Sequence, residues 1–305
     1  MLNYLLFPIV FIFFYLVIFS YGIQLKKIFF NKINFSTGEI GILGFLAIYI
    51  FATGIHFISN ISQEISLLIY AMAVCIFIYN FTSMLKIFIN ESKPILLLLV
   101  ISIFFSITTN LHDDVNLYQL PTINYFQQNK IIFGVHGFFD VLAYGHGFYN
   151  IMSVFQLPII QNAAIYFLPV IFLNFFLLAC YSYYKKSDNA LLKLFLFIIF
   201  LIICFRYTRF STYGADIAPL CIIFLLQIYT IDFLKKNNFD NLEKFIIFFT
   251  FGIFLKIYVI SSVFLFLLFI FILKKKLFSI LLKNSFFISI IIFVIGGSNN
   301  FINSG

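Results

Sequence analysis

The chain reads as an all-α integral membrane protein of about ten transmembrane or re-entrant helices with a long amphipathic connection on its outer face. Three observations carry this. Hydrophobic residues fill 63% of the 305 positions and charged residues 10%, with a mean hydropathy of +1.09, outside the range of soluble domains. The apolar residues come in runs near the length of one bilayer crossing, about 20 residues. Of the 19 basic residues, 15 fall on alternate connections between those runs. Little is left for a separate soluble domain, so residues 1–305 are expected to form a single polytopic domain. The 48 Phe, and 17 Lys against two Arg with no Trp, suggest a coding bias, so Phe stripes carry little functional information.

In order, the runs are Leu5 to Ile23, Ile40 to Phe57, Ile65 to Leu85, Ile95 to Thr108, Ile159 to Cys180, Leu191 to Phe205 and Ile217 to Phe233. An interrupted stretch from Phe245 to Leu273 and a last run from Phe286 to Ile295 complete them. No positive segment precedes the first run and Tyr21-Gly22-Ile23-Gln24 is a poor cleavage site, so it is read as a span rather than a signal peptide. Lys26, Lys27 and Lys32 follow the first run, Lys86 and Lys93 the third, Lys185, Lys186 and Lys193 the fifth. Lys235, Lys236 and Lys244 follow the seventh, and Lys274, Lys275, Lys276 and Lys283 precede the last. Positive charge marks the cytoplasmic side, which puts the N-terminus outside. The formal charge of +8 is thereby a topology signal, and nucleic acid is not expected as a partner.

The stretch from Phe245 to Leu273 sets the parity. One long helix would carry Lys274 to Lys276 to the outside, whereas two short helices meeting near Lys256 keep every cluster inside. Halves of about 13 residues rise about 20 Å, short of a hydrocarbon core of about 30 Å, so the tip is expected at membrane depth, buried in protein or facing water.

The outer side then holds the residues with chemistry. Lys130, Arg206, Arg209 and Lys256 are its basic residues, and His56, His112, His136 and His146 fall on or near it with Glu64, Asp113, Asp114, Asp140 and Asp216. Glu91, Asp188, Asp232, Asp240 and Glu243 lie among the lysines and are read as solvated loop charges. The four cysteines stand singly in apolar runs, as fillers. The connection 110–158 is too apolar for a free loop and too broken by Gly and Pro to span. Leu117, Leu120, Ile123 and Phe126 recur every three positions, as a helix resting on the membrane requires, with Pro121 kinking it or marking its start.

Each candidate has an ordinary role and a chemical one. Asp113 and Asp114 would cap a helix, or serve as a general base or, with His112, as metal ligands. Arg206 and Arg209 would snorkel to headgroups, or present guanidinium forks to a phosphate. Lys256 interrupts an apolar stretch and would reach for headgroups or hold an anion. His136 and His146 fit structural polar contacts, and no His/Asp spacing here matches a metal signature.

An acidic pair on a long outer connection soon after an early span resembles the GT-C superfamily of polytopic glycosyltransferases. More narrowly, His112-Asp113-Asp114-Val115-Asn116-Leu117-Tyr118-Gln119-Leu120-Pro121 is similar to the Asp-Asp … Tyr-His-Leu-Pro segment of a family of bacterial polytopic membrane proteins regarded as GT-C-like. The similarity continues through Gly134, Gly145 and Asn150, through Arg206 to Asp216, and into Lys256 with Ser261 and Ser262. Gln119 stands where histidine is expected and Tyr144 where arginine is frequent, and similar proteins run on past residue 305, so the chain is expected to be truncated.

The resemblance implies transfer of a sugar from a polyprenyl-phosphate donor to an acceptor hydroxyl on a glycan, lipid or protein, at the outer face of the bacterial inner membrane. Asp113 or Asp114 would be the base, and His112, Tyr118, Arg206, Arg209, Asp216 and Lys256 would bind substrate. A divalent metal bridging Asp113 or Asp114 and the phosphate is left open. The rival class is a transporter or flippase of a lipid-linked anion, which the same cations and broken helices would serve.

Overall fold

The structure is a computed structural model that describes residues 2–108, 114–134, 147–157, 163–212, 214–236, 239–273 and 283–304. Side chains are excepted at 2–5, 105, 107–108, 163, 206–212, 270–273 and 303–304. Among the described residues 89% are helical and no strand occurs. Helices α1 (Leu2–Phe29), α2 (Thr37–His56), α3 (Gln63–Tyr79), α4 (Phe81–Asn90) and α5 (Ser92–Thr108) come first. A π-helical turn (Val115–Gln119), α6 (Leu120–Gln128) and α7 (Gly147–Phe155) lead to α8 (Ala163–Lys186) and α9 (Ala190–Thr212). A 3₁₀ turn (Gly214–Asp216) opens α10 (Ile217–Lys236), α11 (Phe239–Leu255) follows, and a second 3₁₀ segment (Ile257–Ser262) joins it to α12 (Val263–Leu273) and α13 (Asn284–Ser304). The runs read from the sequence thus recur as helices.

Five of these helices are long and apolar enough to cross a membrane, which marks the chain as a membrane protein. Counting the bent pair α3–α4 as one span makes six, and three further apolar helices are shorter: Ser92–Phe104, Ala190–Phe205 and Ile257–Phe269. The third run, Ile65 to Leu85, is divided between α3 and α4, which meet at 76°. Asn80, fully buried at the joint, donates to Gln24 Oε1 at 3.0 Å and accepts from Lys27 Nζ at 2.6 Å, tying the bend to α1.

Helix α2 lies at the centre, packed on α1, α7, α8 and α13. It starts in a capping box in which Ser36 Oγ accepts from the Glu39 N–H and the Glu39 carboxylate accepts from the Ser36 N–H. Its glycines let the neighbours in. A Cβ on Gly44 would stand 1.9 Å from Ile18 O of α1, and one on Gly38 2.1 Å from Phe175 O of α8. Apolar association gives no net gain between helices surrounded by lipid, so such backbone-to-backbone approach is a main source of cohesion.

The break near Lys256 is present, and the ring contacts give its direction. Phe245 packs on Phe269 at 5.0 Å between centroids and Phe249 on Phe266 at 6.3 Å, so α12 folds back antiparallel to α11. Two boundaries differ from expectation. Helix α11 begins at Phe239 rather than Phe245, because Asn241, Glu243 and Lys244 are buried and hydrogen-bonded. Helix α13 continues through Gly296 and Gly297 instead of ending at Ile295, since a Cβ on Gly296 would meet the Phe254 ring at 2.3 Å: the glycine serves close packing on α11.

The membrane-resting helix is also revised. Leu117 is 74% exposed, and the buried face runs through Val115, Gln119, Thr122, Ile123 and Phe126, because the wider π turn displaces Leu117 from it. The segment is bonded to the bundle: Ile61 N–H donates to Phe126 O at 2.9 Å, Asn60 Nδ2 to Gln127 O at 2.7 Å, and Gln127 Nε2 to Ser153 O at 2.9 Å. His56 Nε2 sits 3.0 Å from Asn129 O, a structural contact.

Gly44→Ala is expected to lower stability by about 1–3 kcal/mol, because neither backbone can yield to the added methyl. Gly54→Ala, with nothing within 4 Å of the new methyl, is the control. Thermal unfolding in detergent checks this, and equal midpoints for the two variants would contradict the close approach.

Candidate functional site

At one end of the bundle, α9 gives way to α10 through Gly214-Ala215-Asp216, and α11 gives way to its 3₁₀ segment at Lys256. The two junctions meet: Lys256 Nζ and Asp216 Oδ1 form an ion pair whose side chains are 27% and 43% exposed. Asp216 immediately precedes α10, where the helix dipole favours a carboxylate. Lys256 has extended backbone, and its N–H still donates to Gly252 O at 2.9 Å, so it is the last residue served by α11. Tyr258 holds the corner, its hydroxyl donating to Asp216 O at 3.2 Å and its ring facing the Lys256 ammonium at 5.5 Å.

The expected depth of this tip is corrected here. Asp216 lies in the first turn of the 23-residue span Gly214–Lys236, so Lys256 is carried to the end of a full crossing rather than to its middle. The reason is length: α11 has 17 residues, a rise of about 25 Å, where halves of about 13 residues were expected. Lys256 also meets a carboxylate of its own chain, a partner the sequence had not assigned to it.

The π turn brings the acidic segment to the same place. Asp114 stands at its start, half-buried, and Tyr118 one turn on donates to Asp114 Oδ2 at 3.2 Å. Burial, and then the carboxylates of Asp114 and Asp216, push the Tyr118 phenol above its ordinary range, so it stays a neutral donor at physiological pH. Tyr149 of α7, 2% exposed, is raised by burial first and then by Tyr118, Asp216 and Asp114. One electrostatic neighbourhood therefore holds Asp114, Tyr118, Tyr149 and Asp216.

Gln119 fixes the π turn against the α9–α10 junction. Gly214 has φ +53°, and a Cβ there would stand 2.2 Å from Gln119 Oε1. Gln119 is 4% exposed, and its Oε1 has no hydrogen-bond partner among the described residues. The residue that departs from the expected histidine is thus an acceptor buried beside the site.

Of the other residues read from the sequence, His112 and Asp113 lie outside the described residues, as do His136, Asp140 and His146. Arg206 and Arg209 sit on the last turns of α9, at the end where Asp216 stands, and their side chains are not among those described. No group of three or more His, Cys, Asp or Glu side chains that could hold a metal occurs among the described residues.

A family model described as Domain of unknown function (DUF8201) matches residues 1–305. The chain belongs to that family. No curated protein and no solved structure matches it. Chemistry must be read from the DUF8201 chain itself, and it offers two carboxylates, a neutral phenol and an ammonium at the edge of an apolar bundle.

The opposite end of this DUF8201 chain was read too simply. Asp232 and Glu243, taken as solvated charges, are 4% and 7% exposed, and Lys244 is 4% exposed. Lys244 Nζ bonds Glu39 Oε2 at 3.1 Å, and Lys283 pairs with Glu243. Asp232 finds Lys236 on its own helix, but Glu39 with Lys244 and Glu243 with Lys283 join separate segments, so only tertiary packing supplies those partners. Glu39, fully buried, was missed altogether, although Ser36-Thr37-Gly38-Glu39 ahead of an apolar run is a helix-start signature.

Gly214→Ala is expected to cost about 1–2 kcal/mol for the left-handed backbone, plus a clash with Gln119. Gln119→Ala in the same chain should recover the clash and leave the backbone penalty. A double-mutant cycle on thermal unfolding measures the coupling, and strict additivity would contradict the contact.

Proposed function

We propose that the protein is a membrane glycosyltransferase of the GT-C type, with about ten spanning or re-entrant helices, that moves a sugar from a polyprenyl-phosphate donor to an acceptor hydroxyl at the outer face of the inner membrane. The observation that carries the reading is the gathering of Asp114, Tyr118, Asp216 and Lys256 at one end of an apolar bundle. A donor with a lipid tail needs a catalytic centre beside the bilayer, and this end supplies both signs of charge next to apolar helices. The likeness of residues 112–121 to a GT-C-like segment supports the same class.

In this mechanism Asp114 accepts the proton of the acceptor hydroxyl as its oxygen bonds to the anomeric carbon. The bond from that carbon to the phosphate oxygen breaks, and its electron pair leaves with the polyprenyl phosphate. A phosphate leaves readily, so no carboxylic acid is needed to protonate it. Tyr118 fixes the orientation of Asp114 through its hydrogen bond. The Lys256–Asp216 pair is neutral overall, so the charge of the departing phosphate falls to Arg206 and Arg209, with Lys256 donating hydrogen bonds. Asp113 and His112 belong to the same acidic segment, and if a divalent metal is bound there Asp113 or Asp114 would hold it, and it would supply positive charge to the departing phosphate. The acceptor is a glycan, lipid or protein hydroxyl, and membrane lipids surround the helices.

The orientation follows from the alternating lysines and puts the Asp216 end outside. In a cysteine-free background, Lys130→Cys should react with an impermeant thiol reagent in intact cells and Asp188→Cys should not; both positions are exposed. The reverse pattern would overturn the orientation.

The activity is tested with purified protein in nanodiscs, a panel of polyprenyl-phosphate sugars and envelope acceptors, reading released polyprenyl phosphate. Wild type should release it with one donor, and Asp114→Asn, which keeps the shape of the side chain, should lower the rate by roughly 10² or more. Full activity in Asp114→Asn would remove the base, and no release from any donor would remove the class.

A further inference from the structure

The lysine-rich end carries a feature that the proposed transfer does not use. Between the start of α2, the end of α8, the end of α10 and the start of α11 lies a cavity of about 220 Å³, many times the roughly 10–15 Å³ that one water molecule needs. Its lining is charged: Lys186, Lys236 and Lys244 face Glu39 and Asp232. It lies about 24 Å from Asp216, the rise of the 16 residues of α10 that separate Asp216 from Asp232 at about 1.5 Å each.

The carboxylates here are already engaged. Glu39 accepts from the Ser36 N–H at 2.6 Å, from Lys244 Nζ at 3.1 Å and from the Tyr183 hydroxyl at 3.1 Å. Asp232 accepts from Asn241 Nδ2 at 2.9 Å through Oδ2 and forms an ion pair with Lys236 Nζ, 2.9 Å from Oδ1, which accepts no hydrogen bond among the described residues. Asp240, outside the lining, accepts from the Asn34 N–H at 3.2 Å. The donors are not all engaged. Lys186 has no ion pair among the described residues, and Lys26 stands in electrostatic reach of Lys186, Lys244 and Glu39. Ser182, 5% exposed and in the lining, has a buried Oγ without a hydrogen-bond partner among the described residues. Three lysines outnumber two carboxylates in the lining and each carboxylate is already paired with a lysine, whereas an anion finds an unopposed ammonium and an unused hydroxyl.

We propose that this cavity is a second ligand site, for a phosphate group, held by Lys186 and Ser182 against a frame fixed by the Glu39–Lys244 pair. The shared chemistry is a compact oxyanion, presented by a lipid headgroup or as free phosphate. Phosphate offers several acceptor oxygens, enough to meet an ammonium and a hydroxyl at once. Glu39 and Lys244 are paired and buried, so that part of the frame stands before the anion arrives and little ordering is required of it on binding.

The test uses the full chain in nanodiscs and does not depend on transferase activity. One arm titrates inorganic phosphate into phosphatidylcholine discs at constant ionic strength; the other replaces part of the lipid with phosphatidylglycerol. Thermal unfolding is read in both, since a ligand that binds only the folded state raises the midpoint. A saturable rise with phosphate identifies the free anion, and a rise with the anionic lipid alone identifies the headgroup. The double variant Ser182→Ala with Lys186→Gln removes both donors and leaves the Glu39–Lys244 pair intact. It should weaken binding by about tenfold or more, the loss of a charge-assisted hydrogen bond. Lys185→Gln, next in sequence but outside the lining, should keep the full rise. No rise in either arm, or an undiminished rise in the double variant, would overturn the site.

Discussion

A helix that stops and reverses at the edge of an apolar bundle frees backbone groups that apolar surroundings cannot satisfy, and the arrangement at Lys256 follows from meeting that demand. Helix α11 ends at Leu255, and the 3₁₀ segment takes over at once, with the Val259 N–H donating to Lys256 O at 3.2 Å and Ser261 Oγ donating to Tyr258 O at 2.9 Å. The reversal lets the rings of α12 pack back on α11. It also delivers the single charged residue of the corner to Asp216. Were the helix continuous, the rings of α12 could not pack back on α11. The α9–α10 junction, and through Gly214 and Gln119 the π turn bearing Tyr118, are assembled around that corner.

What the sequence revealed and what it hid divide along a physical line. Helix positions were legible because apolar length is a local property: the described parts of the runs recur as helices, the third as the bent pair α3–α4, and the break fell at Lys256 as expected. Boundaries that depend on a partner were not. The glycines at 296 and 297 resemble a helix stop until the Phe254 ring is seen against one of them, and Asn80 reads as an ordinary polar residue until its bonds to Gln24 and Lys27 explain the 76° bend. The same holds at the site. Asp114, Tyr118, Asp216 and Lys256 were each picked out singly, but the pairing of Lys256 with Asp216 joins residues 40 positions apart, and no local pattern reports it. Tyr149 was missed because a tyrosine among many aromatics carries no signal until carboxylates surround it.

The lysine-rich end shows the limit of reading charge by sign alone. Alternating lysines gave a topology, and that use of them hid the acids among them. A buried carboxylate is costly unless paired and hydrogen-bonded, so Glu39, with three donors, must be part of the architecture rather than of a solvated loop. Removing Lys244 would leave Glu39 charged and buried, whereas removing Lys186 would leave every carboxylate of the cavity with its partner. That difference separates the frame of this end from the residues free to meet a ligand.

The two ion pairs at the ends of α11 therefore differ in kind. Glu39 and Lys244 are 0% and 5% exposed in their side chains, so separating them would leave two buried charges without their ionic partners, and the pair fixes how α2 and α11 approach. Asp216 and Lys256 are partly open to solvent, where an ion pair contributes little and its members can be rehydrated as it opens. An anion arriving at that end could share the Lys256 ammonium at small cost, and the freed Asp216 would still be favoured by the α10 dipole. The half-exposed pair is thus suited to exchange partners and the buried pair is not, which is the division of labour that the proposed transfer at the Asp216 end requires.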